Sequence, residues 1–214
     1  MFSRRNLSLA AGMAAAVALT AGALIASTAT ASVGAQPGDP APGFTAMNSY
    51  GEQVSLADFA GKTVVLEWTN DGCPFVRKHY TRPPGNMQAL QADAAANDVV
   101  WLTVISSATG KQGYADGDRA NQLTEDRHAA PAHVILDPSG TLGRLYDAKT
   151  TPHMFIVAPD GVLAYQGAID SEASASSGDI EGATNYVSAA LASLAAGESV
   201  DPASTKPYGC SVKY

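Results

Sequence analysis

Cysteine and histidine are scarce in this sequence: two cysteines, Cys73 and Cys210, and four histidines occur among 214 residues. Two cysteines exclude a scaffold of several disulfides and allow one intrachain disulfide. No C-x-x-x-C or H-x-x-x-H spacing is present, so the sequence supports no metal site and implies no cofactor. We therefore interpret His128, His133 and His153 as ordinary surface or core residues.

Basic residues are also few compared with acidic residues. Thirteen Lys and Arg residues stand against twenty Asp and Glu residues, which gives a formal net charge of −7 at pH 7. This balance argues against a nucleic-acid partner and against binding to an anionic membrane surface. The acidic residues are spread along the chain, a pattern that favours solubility over a cation site. Hydrophobic residues make up 46% of the chain, enough for a core that needs no disulfide to fold.

Residues 1–31 have the pattern of a secretory signal peptide. A pair of arginines precedes an apolar run rich in alanine, which ends in small residues that form an A-x-A cleavage pattern. We predict cleavage between Ala31 and Ser32, with a cut after Ala35 as the alternative. The arginine pair resembles a twin-arginine signal, although such pairs also occur in ordinary signals. We expect an exported protein, periplasmic or extracellular, with no membrane span in its mature form.

The rest of the chain is divided into a linker at 32–43, one domain at 44–198 and a tail at 199–214 that carries Cys210. Apolar runs and turn signals predict alternating strands and helices, with Asp118 as the N-cap of one helix. The predicted strands are 44–49, 63–68, 99–105, 132–136, 153–158 and 162–166, and the predicted helices after Cys73 are 86–96, 118–128, 139–146 and 182–195. This order favours an α/β fold with a central mixed sheet flanked by helices.

Cys73 is the main candidate for a reactive group. A buried strand and a polar turn lead to it, and Pro74 suits the first turn of a helix, so a helix is predicted to begin there. Free N–H groups and the helix dipole favour the thiolate, which is the reactive form of cysteine. Arg77 and Lys78 could add positive potential, and Pro74 is expected to leave the sulfur on the surface. The alternative is a buried, inert cysteine.

Several segments carry a resemblance to known proteins. Residues 64–73 resemble the strand, turn and nucleophile of thioredoxins, and Thr151-Pro152 resembles their cis-proline loop. Other segments resemble the AhpC/TSA and redoxin branch of this superfamily (40–44, 54–62, 158–161) and a bacterial subgroup of redoxin-domain proteins (73–80, 85–88, 209–214). The resemblance covers essentially the whole mature chain, and it implies a thioredoxin-like fold and thiol redox chemistry.

The sequence departs from both reference patterns near the nucleophile. Thioredoxins carry C-x-x-C, but Val76 stands at the second cysteine position, so no disulfide between neighbouring cysteines can form. Peroxiredoxins carry Thr or Ser three residues before the reactive cysteine and Pro four residues earlier. Here Asn70 and Leu66 occupy those positions, and Thr69 lies four residues before Cys73, so the peroxiredoxin pattern is broken.

The resemblance also implies roles for individual residues. A buried carboxylate at the position of Glu67 would carry protons, because burial raises the pKa of an acid and suits it to acid–base work. Thr151, Pro152 and Pro74 are expected to bind substrate beside Cys73. Cys210 is the natural resolving cysteine, and its tail is long enough to reach Cys73. A catalytic disulfide, a static disulfide and no pairing all remain open.

We therefore predict a thiol-dependent oxidoreductase in which Cys73 attacks a disulfide or a peroxide and Cys210 resolves the intermediate. Its partners would be an external thiol reductant or thioredoxin-like donor and a protein disulfide or peroxide substrate. The alternative is a non-enzymatic exported module on the same fold with a static Cys73–Cys210 disulfide. A copper-handling role is a third hypothesis, and it lacks the ligands that it needs.

Overall fold

The central sheet is built from the apolar runs that the sequence predicts as buried strands. The computed structural model describes residues 34–81 and 85–214. Its elements follow in the order β1 (Thr45–Asn48), β2 (Gln53–Ser55), β3 (Val64–Trp68), α1 (Pro74–Tyr80), α2 (Asn86–Ala96), β4 (Val100–Ile105), α3 (Gly117–Asp126), β5 (His133–Leu136), α4 (Thr141–Leu145), β6 (Thr150–Thr151), β7 (His153–Val157), β8 (Leu163–Gly167), α5 (Tyr186–Ala195) and β9 (Cys210–Ser211). Short 3-10 helices occupy Leu56–Phe59 and Ser177–Asp179.

Seven strands form one mixed sheet in the order β2-β1-β5-β4-β3-β7-β8. The central strands β3, β4 and β5 are parallel, and the remaining pairs are antiparallel. A second sheet contains only β6 and β9, which pair antiparallel. The predicted α/β class, with a mixed sheet flanked by helices in a thioredoxin-like arrangement, is confirmed.

Strand β3 divides the core because successive side chains of a strand point to opposite faces of the sheet. Val64, Leu66 and Trp68 pack in a cluster on one face, and Val65 packs in a second cluster that also contains Cys73. Every residue of β3 is buried. The nucleophile candidate therefore follows a strand that is covered on both faces.

Two helix starts differ from the sequence-based expectation. The N-cap of α3 is Asp116, whose carboxylate accepts a hydrogen bond from Arg119 N, so the prediction of Asp118 was wrong by two residues. Helix α5 begins at Tyr186, later than predicted, because Asn185 accepts a hydrogen bond from Ser188 N and caps it there. Gly182 lies in the loop before this cap.

Both ends of the described chain pack against the sheet. The segment 34–43, predicted as part of a linker, bonds to the edge of β8 and to the turn before it: Gly38 N donates to Leu163 O in the strand, and Ala41 N donates to Gly161 O in the turn. The tail returns to the domain and ends in β9, so its described residues belong to the same compact unit. The predicted signal peptide lies outside the described residues. Within residues 34–81 and 85–214, no helix has the length and apolarity needed to cross a membrane.

Candidate functional site

Cys73 occupies the N-cap of α1, as the sequence predicts. Its backbone is extended, Pro74 is the first residue of the helix, and Cys73 N donates to Asn70 O at 3.1 Å across the preceding turn. The expectation that Pro74 leaves the sulfur on the surface was wrong, because Cys73 is 0% exposed. Pro74 itself is exposed, and the sulfur is covered by the cis-proline loop and by the tail.

The cis-proline loop forms one wall of the site. The Thr151–Pro152 peptide bond is cis, as the resemblance implies, and both residues are buried. The Cys73 thiol donates to Thr151 O over 3.1 Å. Thr151 also pairs with Cys210, because β6 and β9 form a two-stranded sheet. Thr151 therefore contacts both cysteines.

Both cysteines are free thiols, and the tail brings them into side-chain contact. Gly209 allows this approach: its φ is +127°, and a Cβ at that position would collide with the carbonyl oxygen of Thr151. A bulkier residue would hold the tail away from the loop. The structure thus joins Cys73, Cys210, Thr151 and Pro152, although they lie far apart in the sequence.

Hydrogen bonds make the two thiols unequal. Burial alone would raise the pKa of Cys73, but hydrogen bonds from the Cys210 thiol, from the backbone of Cys210 and Val76 and from the Thr151 side chain outweigh it and lower that pKa. Burial and the hydrogen bond to Cys73 raise the pKa of Cys210 to about 11. Cys73 is therefore the more acidic thiol of the pair: when protonated it donates to Thr151 O, and it loses its proton at a lower pH than Cys210 does.

This assignment predicts the pH dependence of alkylation. Iodoacetamide reacts with thiolate, so Cys73 should reach half-maximal reactivity at a lower pH than an ordinary cysteine does, and Cys210 at a higher pH. Removing the donor in Cys210→Ala should move the Cys73 midpoint to higher pH. The matched variant Cys210→Ser keeps a hydroxyl donor and should hold the midpoint low. Mass spectrometry of alkylated peptides measures both, and equal midpoints in the two variants would contradict the donor role.

Glu67 lies on β3, on the face that carries helices α1 and α2. Burial raises the pKa of its carboxyl group, and the hydrogen bonds that the carboxylate accepts make that increase smaller. Its oxygens accept hydrogen bonds from four side chains: Tyr80, Gln91, Trp101 and Thr103. None of these bonds involves Cys73 or Cys210, so the proton-carrying role of Glu67 stays a prediction.

The basic residues of α1 do not point at the sulfur. Arg77 Nε donates to Asp71 O at 2.8 Å. Lys78 is fully buried, and its ammonium group lies 3.0 Å from Asp170 Oδ2. The expectation that these side chains add positive potential at Cys73 was wrong for Lys78, since its charge is neutralised by a buried carboxylate.

Sequence reasoning missed the group that ties the tail to helix α1. Asp170 is buried in the segment that follows β8. Its carboxylate bonds to both Lys78 and Tyr208. Tyr208 lies two residues before Cys210. Nothing in the local sequence marks Asp170 as a partner of Lys78, because ninety-two positions separate them.

The histidines have structural partners. His79 and His153 are buried, and desolvation lowers the pKa of His79 to about 4 and that of His153 to about 3. His79 contacts Tyr208, and His153 accepts from Lys149 N. Across the described part of the chain, no three potential metal-ligating side chains come together.

Solved structures share this fold. An uncharacterized conserved protein from Geobacillus kaustophilus superposes with a TM-score of 0.67 at 23% identity, over 87% of this chain and 94% of the other. A hypothetical protein from Sinorhizobium meliloti gives 0.67 at 19% identity, over 84% and 95%. A proposed protein disulfide isomerase from Bacteroides thetaiotaomicron gives 0.50 at 16% identity, over 63% and 81%. These likenesses show the thioredoxin-like fold.

Among curated proteins, none is significantly similar to this sequence. The profile of the AhpC/TSA family, in contrast, matches residues 37–166, which is more than half of the chain and includes β3, Cys73 and the cis-proline loop. Family membership and the paired thiols together support an oxidoreductase role in general terms. By fold, site and sequence profile, the chain belongs to the AhpC/TSA family within the thioredoxin-like redoxins.

Proposed function

We propose that the protein is a two-cysteine thiol oxidoreductase in which Cys73 is the nucleophile and Cys210 is the resolving cysteine. The observation that carries the proposal is the meeting of two free thiols at the cis-proline loop: Cys73 Sγ lies 3.1 Å from Thr151 O, and Thr151 pairs with Cys210 across β6 and β9. The opposite pKa shifts of the two sulfurs support the assignment of their roles. A low-pKa thiolate beside a protonated thiol is the arrangement that attack and resolution require.

The proposed reaction moves two electrons from the cysteine pair to a disulfide. The Cys73 thiolate attacks one sulfur of the substrate, forms a mixed disulfide and releases the other sulfur as a thiolate. Cys210, after losing its proton to that leaving thiolate, attacks the Cys73 sulfur and releases the second substrate thiol. The product is a Cys73–Cys210 disulfide, and an external thiol reductant or thioredoxin-like donor restores the two thiols.

A disulfide substrate fits the site better than a peroxide. The side-chain amide of Asn70, at the position of the peroxiredoxin Thr, accepts from Gly72 N in its own turn and donates to Gln112 O in the loop before α3. Arg77 is bound to Asp71 O. Neither side chain is directed at Cys73, whereas peroxide cleavage needs donors on the departing oxygen. Peroxide stays the alternative substrate: Cys73 would become a sulfenic acid, and Cys210 would then displace water to form the same disulfide.

The proposed compartment lies outside the cytoplasm, periplasmic or extracellular. The support is the signal-peptide pattern of residues 1–31. In such a compartment a cysteine pair is oxidised unless a reductant reaches it. The proposal therefore includes a thiol donor as partner.

The redox potential of the Cys73–Cys210 couple tests the proposal. Thiol labelling with mass detection, in glutathione buffers of graded potential, should show a disulfide that opens reversibly between about −180 and −300 mV. Cys210→Ser, which can form no such bond, is the control. A bond that opens only below about −300 mV would indicate a static disulfide and favour the non-enzymatic alternative. Assays with insulin disulfides and with hydrogen peroxide would then separate the two substrates.

A further inference from the structure

The Tyr208 hydroxyl is the centre of a buried polar network between helix α1 and the tail. It donates to Asp170 Oδ1, and it lies 3.4 Å from Lys78 Nζ and 3.2 Å from His79 Nε2. Lys78 also donates to Glu172 O at 2.6 Å. The side chains of Lys78 and His79 are 0% exposed and that of Asp170 is 2% exposed.

Neighbouring amides determine the direction of the bonds that His79 makes in this network. Asn185 Nδ2 donates to Asn86 Oδ1, so Asn86 Nδ2 is left to donate to His79 Nδ1. His79 is neutral, because burial lowers its pKa to about 4, and its proton is therefore on Nε2 and points at Tyr208. Tyr208 accepts from His79 and donates to Asp170. A buried network in which the hydrogen-bond roles of His79 and Tyr208 are assigned in this way favours one geometry.

The network sets the position of the tail at the site. The Tyr208 ring packs edge-on against Phe75 of α1, with centroids 5.9 Å apart. Gly209 follows, and Cys210 then pairs with Thr151, whose carbonyl oxygen lies 3.1 Å from Cys73 Sγ. Since only Gly209 separates Tyr208 from Cys210, a fixed tyrosine leaves the Cys210 sulfur little freedom.

We propose that Tyr208, with Lys78 and Asp170, is a latch that positions Cys210 against Cys73 and keeps the tail closed over the nucleophile. This inference rests on the proposed function for its catalytic meaning. Cys73 is fully buried under the closed tail, so substrate reaches the sulfur when the latch opens. The latch residues act through the position of Cys210 and touch no reacting atom.

The first test measures access to Cys73 without using the disulfide. In a Cys210→Ser background, Tyr208→Phe removes the hydroxyl and keeps the ring. Loss of a hydrogen bond to a buried charged group shifts an opening equilibrium by about tenfold or more. The iodoacetamide rate at Cys73 should rise by about that factor, with an unchanged pH midpoint. Tyr50→Phe, at a tyrosine 75% exposed, is the matched control and should leave the rate unchanged.

The second test measures the positioning of Cys210 itself. With both cysteines present, Tyr208→Phe should shift the disulfide–dithiol equilibrium about tenfold toward the dithiol, a change of about 30 mV. Lys78→Met should shift the equilibrium in the same direction. If Lys78→Met folds poorly, Tyr208→Phe alone decides the test. An unchanged alkylation rate and an unchanged equilibrium in Tyr208→Phe would overturn the latch. If the native pair forms no reversible disulfide, the proposed function fails, and the alkylation rates still decide whether the network closes the tail.

Discussion

Replacing Cys73 with serine should lower thiol-dependent reduction of insulin disulfides at least about a thousandfold, because a serine hydroxyl stays protonated and does not attack sulfur. The substitution is close in size, and a serine hydroxyl can also donate to Thr151 O, so the fold should persist. The measurement is turnover with dithiothreitol as electron donor, together with circular dichroism of the variant.

Cys210→Ser is the matched control for this loss. It should also stop turnover, but it leaves the attacking thiolate in place, so a mixed disulfide with substrate should accumulate at Cys73. Mass spectrometry after a single addition of substrate detects that adduct. Turnover by Cys73→Ser at the native rate would contradict the proposal that Cys73 is the nucleophile. Full turnover by Cys210→Ser would instead mean that an external thiol resolves the intermediate.

Asp170→Asn should destabilise the protein by about 3–5 kcal/mol, because it leaves the Lys78 ammonium buried without an anion. Asparagine has nearly the same shape as aspartate. The loss of unfolding free energy therefore measures the contribution of charge and hydrogen bonding more than that of packing. Urea denaturation followed by tryptophan fluorescence measures the free energy of unfolding, since Trp68 and Trp101 are both buried.

A surface pair supplies the comparison for Asp170. Lys62 and Asp98 also form an ion pair, at 2.6 Å, but their side chains are 44% and 80% exposed. Asp98→Asn should therefore cost less than about 1 kcal/mol. The double variant Lys78→Met/Asp170→Asn should recover part of the loss, because no charge remains buried. An Asp170→Asn variant as stable as Asp98→Asn would contradict a buried, charged pair.

Much of the sheet can be predicted because its strands are short, continuous apolar runs. β3, β4 and β7 lie where Val, Ile, Leu and aromatic residues accumulate, and each is buried nearly throughout. Helix starts are less certain, because several polar residues in a row can serve as the cap. Asp116 and Asp118 are equivalent by composition, and the structure identifies Asp116 as the cap because its carboxylate accepts from Arg119 N.

The site shows the same division between local and long-range information. Cys73 at a helix start and the cis bond at Thr151–Pro152 follow from short motifs, and both predictions agree with the structure. The burial of Cys73 and the pairing of Lys78 with Asp170 do not follow from any motif. Both depend on where the tail and the segment after β8 lie, and contacts across ninety or more residues leave no periodic trace in the sequence.

By itself the sequence indicated the AhpC/TSA type of chain and the thioredoxin-like fold, and it marked Cys73 as the candidate nucleophile. The fold follows from the apolar runs, and the candidate follows from a cysteine that precedes a helix-starting proline. Only the tertiary structure decided that Cys210 meets Cys73, that the pKa values of the two sulfurs shift in opposite directions, and that Tyr208 bonds to the buried Asp170 beside them. A thiol pKa depends on burial and on the donors around the sulfur, and those neighbours exist only once the tail has packed on the sheet.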